Sequence, residues 1–203
     1  MKPILFNTKM VRATLAGMKT ATRRLIKDPF YIDDEDACRK SGMAVHKGTS
    51  ITDGMPYPEI LYEVGEILYV RETWATTEDG HVYLYRADAN PAEGGCIRDK
   101  AGKLHAPRWR PSIHMPKEAA RIFLRVTGVR VERLQEIDAE GVLAEGMTSG
   151  AAVCGDMEIA AKEFALLWNR TIKPEKLDIY GWEANPWVWV IEFEQISREE
   201  ARG

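Results

Sequence analysis

Residues 1–26 read MKPILFNTKMVRATLAGMKTATRRLI, and this opening decides the class of fold. Met1 to Phe6 reads as a short strand. Asn7 or Thr8 can cap a helix running to about Ala16, because a short polar side chain there accepts from the helix's first free N–H groups. Met10 and Leu15 fall on the side of that helix that seeks burial. Gly17 then stands where a helix end wants a left-handed residue. From Lys19 onward the run is rich in β-formers and sets Thr20 and Thr22 against Ala21 and Arg23, so it reads as a strand.

Beyond this opening, residues 28–64 hold Pro29, Gly42, Gly48, Gly54, Pro56 and Pro58 with few periodic apolar positions, and read as an irregular insertion. Val64-Gly65-Glu66 turns into a strand at Ile67–Trp74, with another short strand at Tyr83–Arg86. A second irregular stretch covers 88–117. Ala120–Leu134 (ARIFLRVTGVRVERL) carries the strongest β signal, as two alternating runs joined at Thr127-Gly128, where a bulge, a bend or a hairpin turn fits. Asp138 can cap a short helix ending at Gly146, and Asp156 a longer one with Ala160, Phe164, Leu167 and Trp168 at helical spacing. Trp187–Ile196 alternates as a closing strand. Helices long enough for parallel crossovers are few. The expected class is therefore α+β, a mixed and mostly antiparallel sheet curled into a small barrel with short flanking helices.

A chain of 203 residues suits one domain, and a hydrophobic fraction of 45% supplies a core. Apolar runs fall short of a membrane span, and the N-terminus turns polar too soon for a secretory signal, so a cytoplasmic protein with no membrane partner is expected. Three cysteines, Cys38, Cys96 and Cys154, are too scattered for a disulfide framework or a metal knuckle, and read as reduced thiols. Four histidines show no metal-ligand spacing, so neither a metal nor another cofactor is expected. The net charge of -3 argues against coating long duplex nucleic acid. Basic residues still cluster locally, in Arg23-Arg24-Lys27, Arg98–Arg110 and Arg121–Arg133. Such clusters suit a small anionic or nucleotide-like ligand, or an ordinary solvated surface.

Gly17-Met18-Lys19-Thr20-Ala21-Thr22-Arg23-Arg24 gathers an amine, hydroxyls and guanidiniums just after a helix end. A lysine desolvated beside other cations loses its proton more readily, and can then act as a base toward a hydroxyl or water. Lys19 and Thr22 meet only if the turn at Gly17 brings Lys19 inward; otherwise Lys19 is a solvated lysine on a strand edge.

Gly17-x-Lys19-x-x-x-x-Arg24 resembles the signature of the ASCH domain family, relatives of the RNA-binding PUA domains. Gly65-Glu66-Ile67-Leu68-Tyr69-Val70 resembles the family's strand entry. Arg71-Glu72-Thr73-Trp74-Ala75, Ser112-Ile113-His114-Met115-Pro116 and Asn185-Pro186-Trp187-Val188-Trp189-Val190 resemble a phage-associated branch. The resemblance implies one PUA-like domain over 1–203, with insertions at about 28–64 and 88–117 that depart from the small members. Some small members remove acyl groups from N4-acylated cytosine nucleosides using a lysine and a threonine of the signature and a downstream glutamate. These roles fall on Lys19, Thr22 (where many relatives carry Glu) and Glu145. A metal-independent amidohydrolase is thus implied, in which Thr22 or a water it orients attacks the acyl carbon and neutral Lys19 takes the proton. Glu145 would position the lysine or the cytosine amine, and Arg24 or a backbone N–H would face the oxyanion.

Trp74 and Trp109 are candidates to stack on a base, with Arg71, Arg108 and Arg110 toward phosphate or ribose. His114 is a candidate ligand contact, and Glu72 either joins the pocket or pairs with Arg71. The partners implied are a nucleoside or modified cytosine and, in the alternative reading of a non-catalytic binding module, single-stranded RNA. A nuclease would demand a histidine pair or a carboxylate cluster, and the sequence shows neither.

Overall fold

The computed structural model describes residues 1–26, 62–77, 80–90, 96–98, 102, 104–148 and 150–202. Most of the first expected insertion, 28–61, lies outside them, as do Cys38 and His46. The architecture is mixed α+β, and its principal sheet has five strands in the order β1-β3-β8-β9-β2. Strand β1 (Lys2–Leu5) pairs in parallel with β3 (Ile67–Arg71), whereas β2 (Ala21–Leu25) pairs antiparallel with β9 (Trp187–Ile196). Strand β8 (Phe123–Arg133) lies between β3 and β9 in that order. Strands β1 and β2 stand at the two ends of that order, and the parallel and antiparallel pairs together make it a mixed sheet.

The chain divides into two compact units. The first comprises Met1–Gly17, Ile67–Leu124 and Gln195–Gly203. Its helix α1 (Thr8–Leu15) begins as the sequence predicts, with the Asn7 side chain accepting from the Met10 amide at 3.0 Å, and it buries Val11, Ala13 and Thr14. Gly17 ends the helix at φ +71°, a conformation any Cβ would strain. Two antiparallel hairpins follow: β4 (Trp74–Thr76) with β5 (Tyr83–Tyr85), and β6 (Ile97–Arg98) with β7 (Leu104–His105). The expected single strand Ile67–Trp74 is thus interrupted at Glu72 and Thr73. Trp74 leaves the large sheet to face Tyr85, while the Glu72 amide donates to Met115 Sδ at 3.2 Å. Tyr69, Trp74, Met115, Phe123 and Ile196 form this unit's core.

The second unit comprises Met18–Glu66 and Arg125–Glu194. Helix α2 (Ala139–Ala144) is capped by Asp138, whose side chain accepts from the Gly141 amide at 2.7 Å. Helices α3 (Gly150–Cys154), α4 (Met157–Asn169) and α5 (Leu177–Tyr180) follow. Asp156 caps α4, whose Ala160, Phe164 and Trp168 pack with Leu134, Val142, Val188 and Val190. Burial of this apolar face, more than helix propensity, stabilises these short helices.

Strand β8 corrects one expectation: Thr127-Gly128 makes no turn and no hairpin, and the strand continues through them. A Cβ on Gly128 would come within 2.6 Å of Glu192 Oε2, so the glycine serves close approach to a side chain of β9. The observed set is richer than the five or six strands and three helices expected, because two-residue strands and one-turn helices are too short to leave a periodic signal. Among the described residues, no helix is long and apolar enough to cross a membrane. Cys96 and Cys154 are free thiols.

Candidate active site around Lys19 and Glu145

The segment leading into β2 is held from both sides within the second unit. The Thr20 amide donates to the Ala144 carbonyl at 2.8 Å, at the end of α2, and the Thr20 carbonyl accepts from the Phe193 amide at 2.8 Å. Lys19 and Glu145 consequently face each other as an isolated antiparallel bridge. This backbone clamp turns Lys19 inward, the condition that the sequence left open.

Lys19 is 2% exposed. Its Nζ donates to Glu145 Oε2 at 2.6 Å, to the Ala21 carbonyl at 2.7 Å and to the Glu145 carbonyl at 3.0 Å. Three acceptors match the three N–H bonds of an ammonium, so the resting pair is ammonium and carboxylate. Burial nonetheless dominates its proton affinity and holds the amine below the ordinary lysine range; Glu145 offsets this in part, and the cations Arg24 and Arg23 add to the depression.

Glu145 Oε1 accepts from the Arg23 backbone amide at 2.6 Å, and the Arg23 guanidinium lies 3.6 Å from it. Both carboxylate oxygens are therefore engaged by the protein. Of the two roles expected for Glu145, holding the lysine is the one this geometry supports.

Thr22 lies between the two anchor points, Ala21 and Arg23, opposite Ile191 of β9. It is fully buried, and its Oγ1 has no hydrogen-bond partner among the described residues. Strand alternation sends Thr22 to the same face of β2 as Arg24, and Ala21 and Arg23 to the other. Arg24 pairs in register with Trp189 and is partly buried. Its proton affinity is lowered chiefly by burial, against the attraction of Glu145 and Tyr62. Lys19, Arg24 and Glu145 thus act on one another's charge at the start of β2, and Thr22 stands between the two backbone groups that anchor Lys19 and Glu145.

Two further residues complete the site, Arg23 and the Glu132 that the sequence did not single out. Arg23 Nε donates to Glu132 Oε1 at 2.7 Å, and Glu132 also pairs with Arg130 at 3.3 Å. On this face of β2 opens a cavity of about 360 Å³, lined by Arg23, Arg130, Asp138, Glu140, Gly141 and Glu192 among others. Arg23 was readable as a basic strand residue. That it is buried, and that its counter-ion stands 109 residues later, was not.

The remaining candidates belong to the first unit. Glu72 is 1% exposed and pairs with Arg121 rather than Arg71, at 2.9 Å from Nε to Oε1 and 3.1 Å from Nη2 to Oε2. The expected Arg71–Glu72 ion pair does not form, because both oxygens of Glu72 are engaged by Arg121 across the unit. The same guanidinium forks onto Asp88 and lies 3.9 Å above the Tyr85 ring. Arg71 donates to the Ile113 carbonyl at 3.3 Å. Trp74 is a core residue, 5% exposed, with Arg110 stacked 5.0 Å from its ring centre and Tyr83 at 5.8 Å. Trp109 is half-buried beneath Arg86, at 5.2 Å, and His114 is exposed in a short 3-10 turn. Among the described residues, no group of three or more His, Cys, Asp or Glu side chains is arranged to hold a metal ion.

With this geometry in hand, two solved structures are similar to the chain. One is a DUF984 protein from Enterococcus faecalis V583, at TM-score 0.41 and 13% identity over 95% of this chain and 71% of that one. The other is an ASCH domain from Lactobacillus crispatus JV V101, at TM-score 0.36 and 13% identity over 93% of this chain and 72% of that one. No family model matches the sequence, and no curated protein matches it. At this level of likeness, the chemistry of the site rests on its own residues.

Proposed function

We propose that the protein is an amidohydrolase that removes the acyl group from N4-acylated cytosine nucleosides, with Lys19, Thr22 and Glu145 as its working residues. One observation carries the reading: a buried, unpartnered threonine hydroxyl flanked by the two backbone groups that anchor a buried lysine–glutamate pair. Leaving a hydroxyl without a partner in the interior costs ~1–3 kcal/mol, a cost that an incoming substrate or water can relieve.

Thr22 Oγ attacks the acyl carbon and its proton passes to neutral Lys19, which releases one of its three acceptors to receive it. The oxyanion is met by Arg24 or a backbone N–H. As the C–N bond breaks, the proton on Lys19 moves to the exocyclic nitrogen, and water then hydrolyses the ester on Thr22. Should Thr22 orient a water instead, the same base serves and the ester is bypassed. Glu145, engaged through both oxygens, holds Lys19 in line. The PUA-like curl of the sheet, the ASCH kinship with its phage-associated branch, and a cytoplasmic location are parts of the same proposal.

A second reading is favoured by the saturation of Lys19: an ammonium with three good acceptors is also what a static buried ion pair looks like. In that case the protein is a binding module for single-stranded RNA or a modified nucleoside. The test is absorbance-monitored hydrolysis of N4-acetylcytidine. Turnover that falls at least ~10²-fold in Lys19→Ala and in Thr22→Val supports the hydrolase. Unchanged turnover in both variants, or none in the wild type, leaves the binding module.

A further inference from the structure

Arg23 stands out among the buried groups that the proposed chemistry does not use. Its side chain is 2% exposed, on the face of β2 opposite Thr22 and Arg24, and it makes no contact that a substrate beside Thr22 would need. A guanidinium is buried at considerable cost unless its geometry is well matched, so its partners indicate its role. Nε and Nη2 both lie 2.7 Å from Glu132 Oε1, and Nη1 reaches toward the Gly141 carbonyl at 3.5 Å and Glu145 Oε1 at 3.6 Å. The same residue's amide N–H takes Glu145 Oε1 at 2.6 Å. Gly141 makes room for this arrangement, since a Cβ there would meet Arg23 Nη2 at 2.9 Å.

We infer that the buried Arg23 guanidinium, with Glu132 as its counter-ion, is a charge set behind the Lys19–Glu145 pair that tunes it, while the Arg23 amide holds Glu145 Oε1. The inference rests on the hydrolase reading for its purpose, though not for its test. Oε1 accepts from the Arg23 amide, which leaves Oε2 to meet Nζ, and the guanidinium stands 3.6 Å from Oε1. Its positive charge also acts on Lys19 from behind, and Glu132 moderates that charge. The charged groups around Lys19 are Glu145 at the end of α2 and Arg23 and Arg24 on β2, and the Tyr62 phenol, whose proton is held more tightly by burial, interacts with Arg24. Behind Arg23 stand Glu132 and Arg130 on β8, with Arg130 hydrogen-bonded to Glu192 of β9.

The test follows the Lys19 Cε resonance against pH in protein carrying ¹³C-labelled lysine, assigned with Lys19→Arg, and it needs no substrate. Arg23→Gln removes a like charge, so the Lys19 titration should move up by roughly half to one pH unit. Glu132→Gln leaves Arg23 unmoderated and should move it down, while Arg23→Lys keeps the charge and should stay near wild type. Opposite signs are the signature, because general loosening of the core would admit water and raise the titration in both Gln variants. Equal signs or no movement would overturn the inference even if the enzyme proves active. The opposite-sign result would stand even if N4-acetylcytidine is not hydrolysed.

Discussion

Lys19 and Glu145 exchange full solvation for one short contact, and the energetic consequences can be tested one side chain at a time. A buried ion pair is strongly destabilised when one partner is lost, because the other charge is left in a poor medium. Lys19→Met should therefore cost about 3 kcal/mol in urea unfolding, whereas Lys19→Met/Glu145→Gln should recover more than half of it. Recovery of nothing would mean that the amine matters as packed volume rather than as charge. The sign of the pH dependence follows from the direction of the shift. Lys19 binds its proton less well folded than unfolded, so the unfolded chain holds more protons between the folded value and 10.5. Through that window its contribution to stability rises with pH. Glu72 behaves oppositely: burial, offset by Arg121, raises its carboxyl above 4.5. The folded state then holds the extra proton, and wild type should lose stability relative to Glu72→Gln as pH rises from about 4.5 through the folded value. A pH-independent difference between the two would show that Glu72 ionises as freely as an exposed carboxylate.

At the scale of elements, the junctions matter more than the elements themselves. Helix α2 is only six residues long, yet it delivers Glu145 to Lys19 because its start is tied by Asp138 and its end by the Thr20 amide. Gly146, immediately after Glu145, has φ +86°. Gly146→Ala should cost ~1–2 kcal/mol and displace Glu145, so its effect on turnover should exceed that of an equally destabilising change in α4. Comparison of Gly146→Ala with Phe164→Leu, a buried position of α4, checks this. Strand β8 teaches a related point. Gly128 reads as a breaker in isolation, but within β8 it leaves the space that the Glu192 carboxylate occupies. A glycine's meaning depends on what stands opposite it.

Over the whole molecule, the two candidate functions differ in how charge would be used. A net charge of -3 gives little long-range attraction for a polyanion. The arginines near the aromatic residues of the first unit are also partly committed, with Arg110 on Trp74, Arg86 on Trp109 and Arg121 on two carboxylates. Any binding of single-stranded RNA should therefore show a shallow salt dependence, equivalent to about two or three phosphates. A slope nearer six would overturn this and give the binding-module reading real weight. N4-acetylcytidine, by contrast, is uncharged, and its affinity should be nearly insensitive to salt between 50 and 200 mM, roughly the range over which phosphate contacts lose most affinity.

The sequence by itself determined what local rules govern. Asn7, Asp138 and Asp156 announce helix starts, Gly17 and Gly146 announce helix ends, and the alternation of Trp187–Ile196 announces a strand, because capping and side-chain periodicity act over a few residues. It also brought Lys19, Thr22 and Glu145 under suspicion, although through a resemblance rather than through spacing alone. Only the tertiary structure decided which groups meet. Glu72 joins Arg121 instead of its neighbour, Arg23 finds Glu132 across the sheet, and Lys19 turns inward because Thr20 is clamped between α2 and β9. Desolvation and long-range pairing decide those contacts, and both depend on elements far apart in the chain.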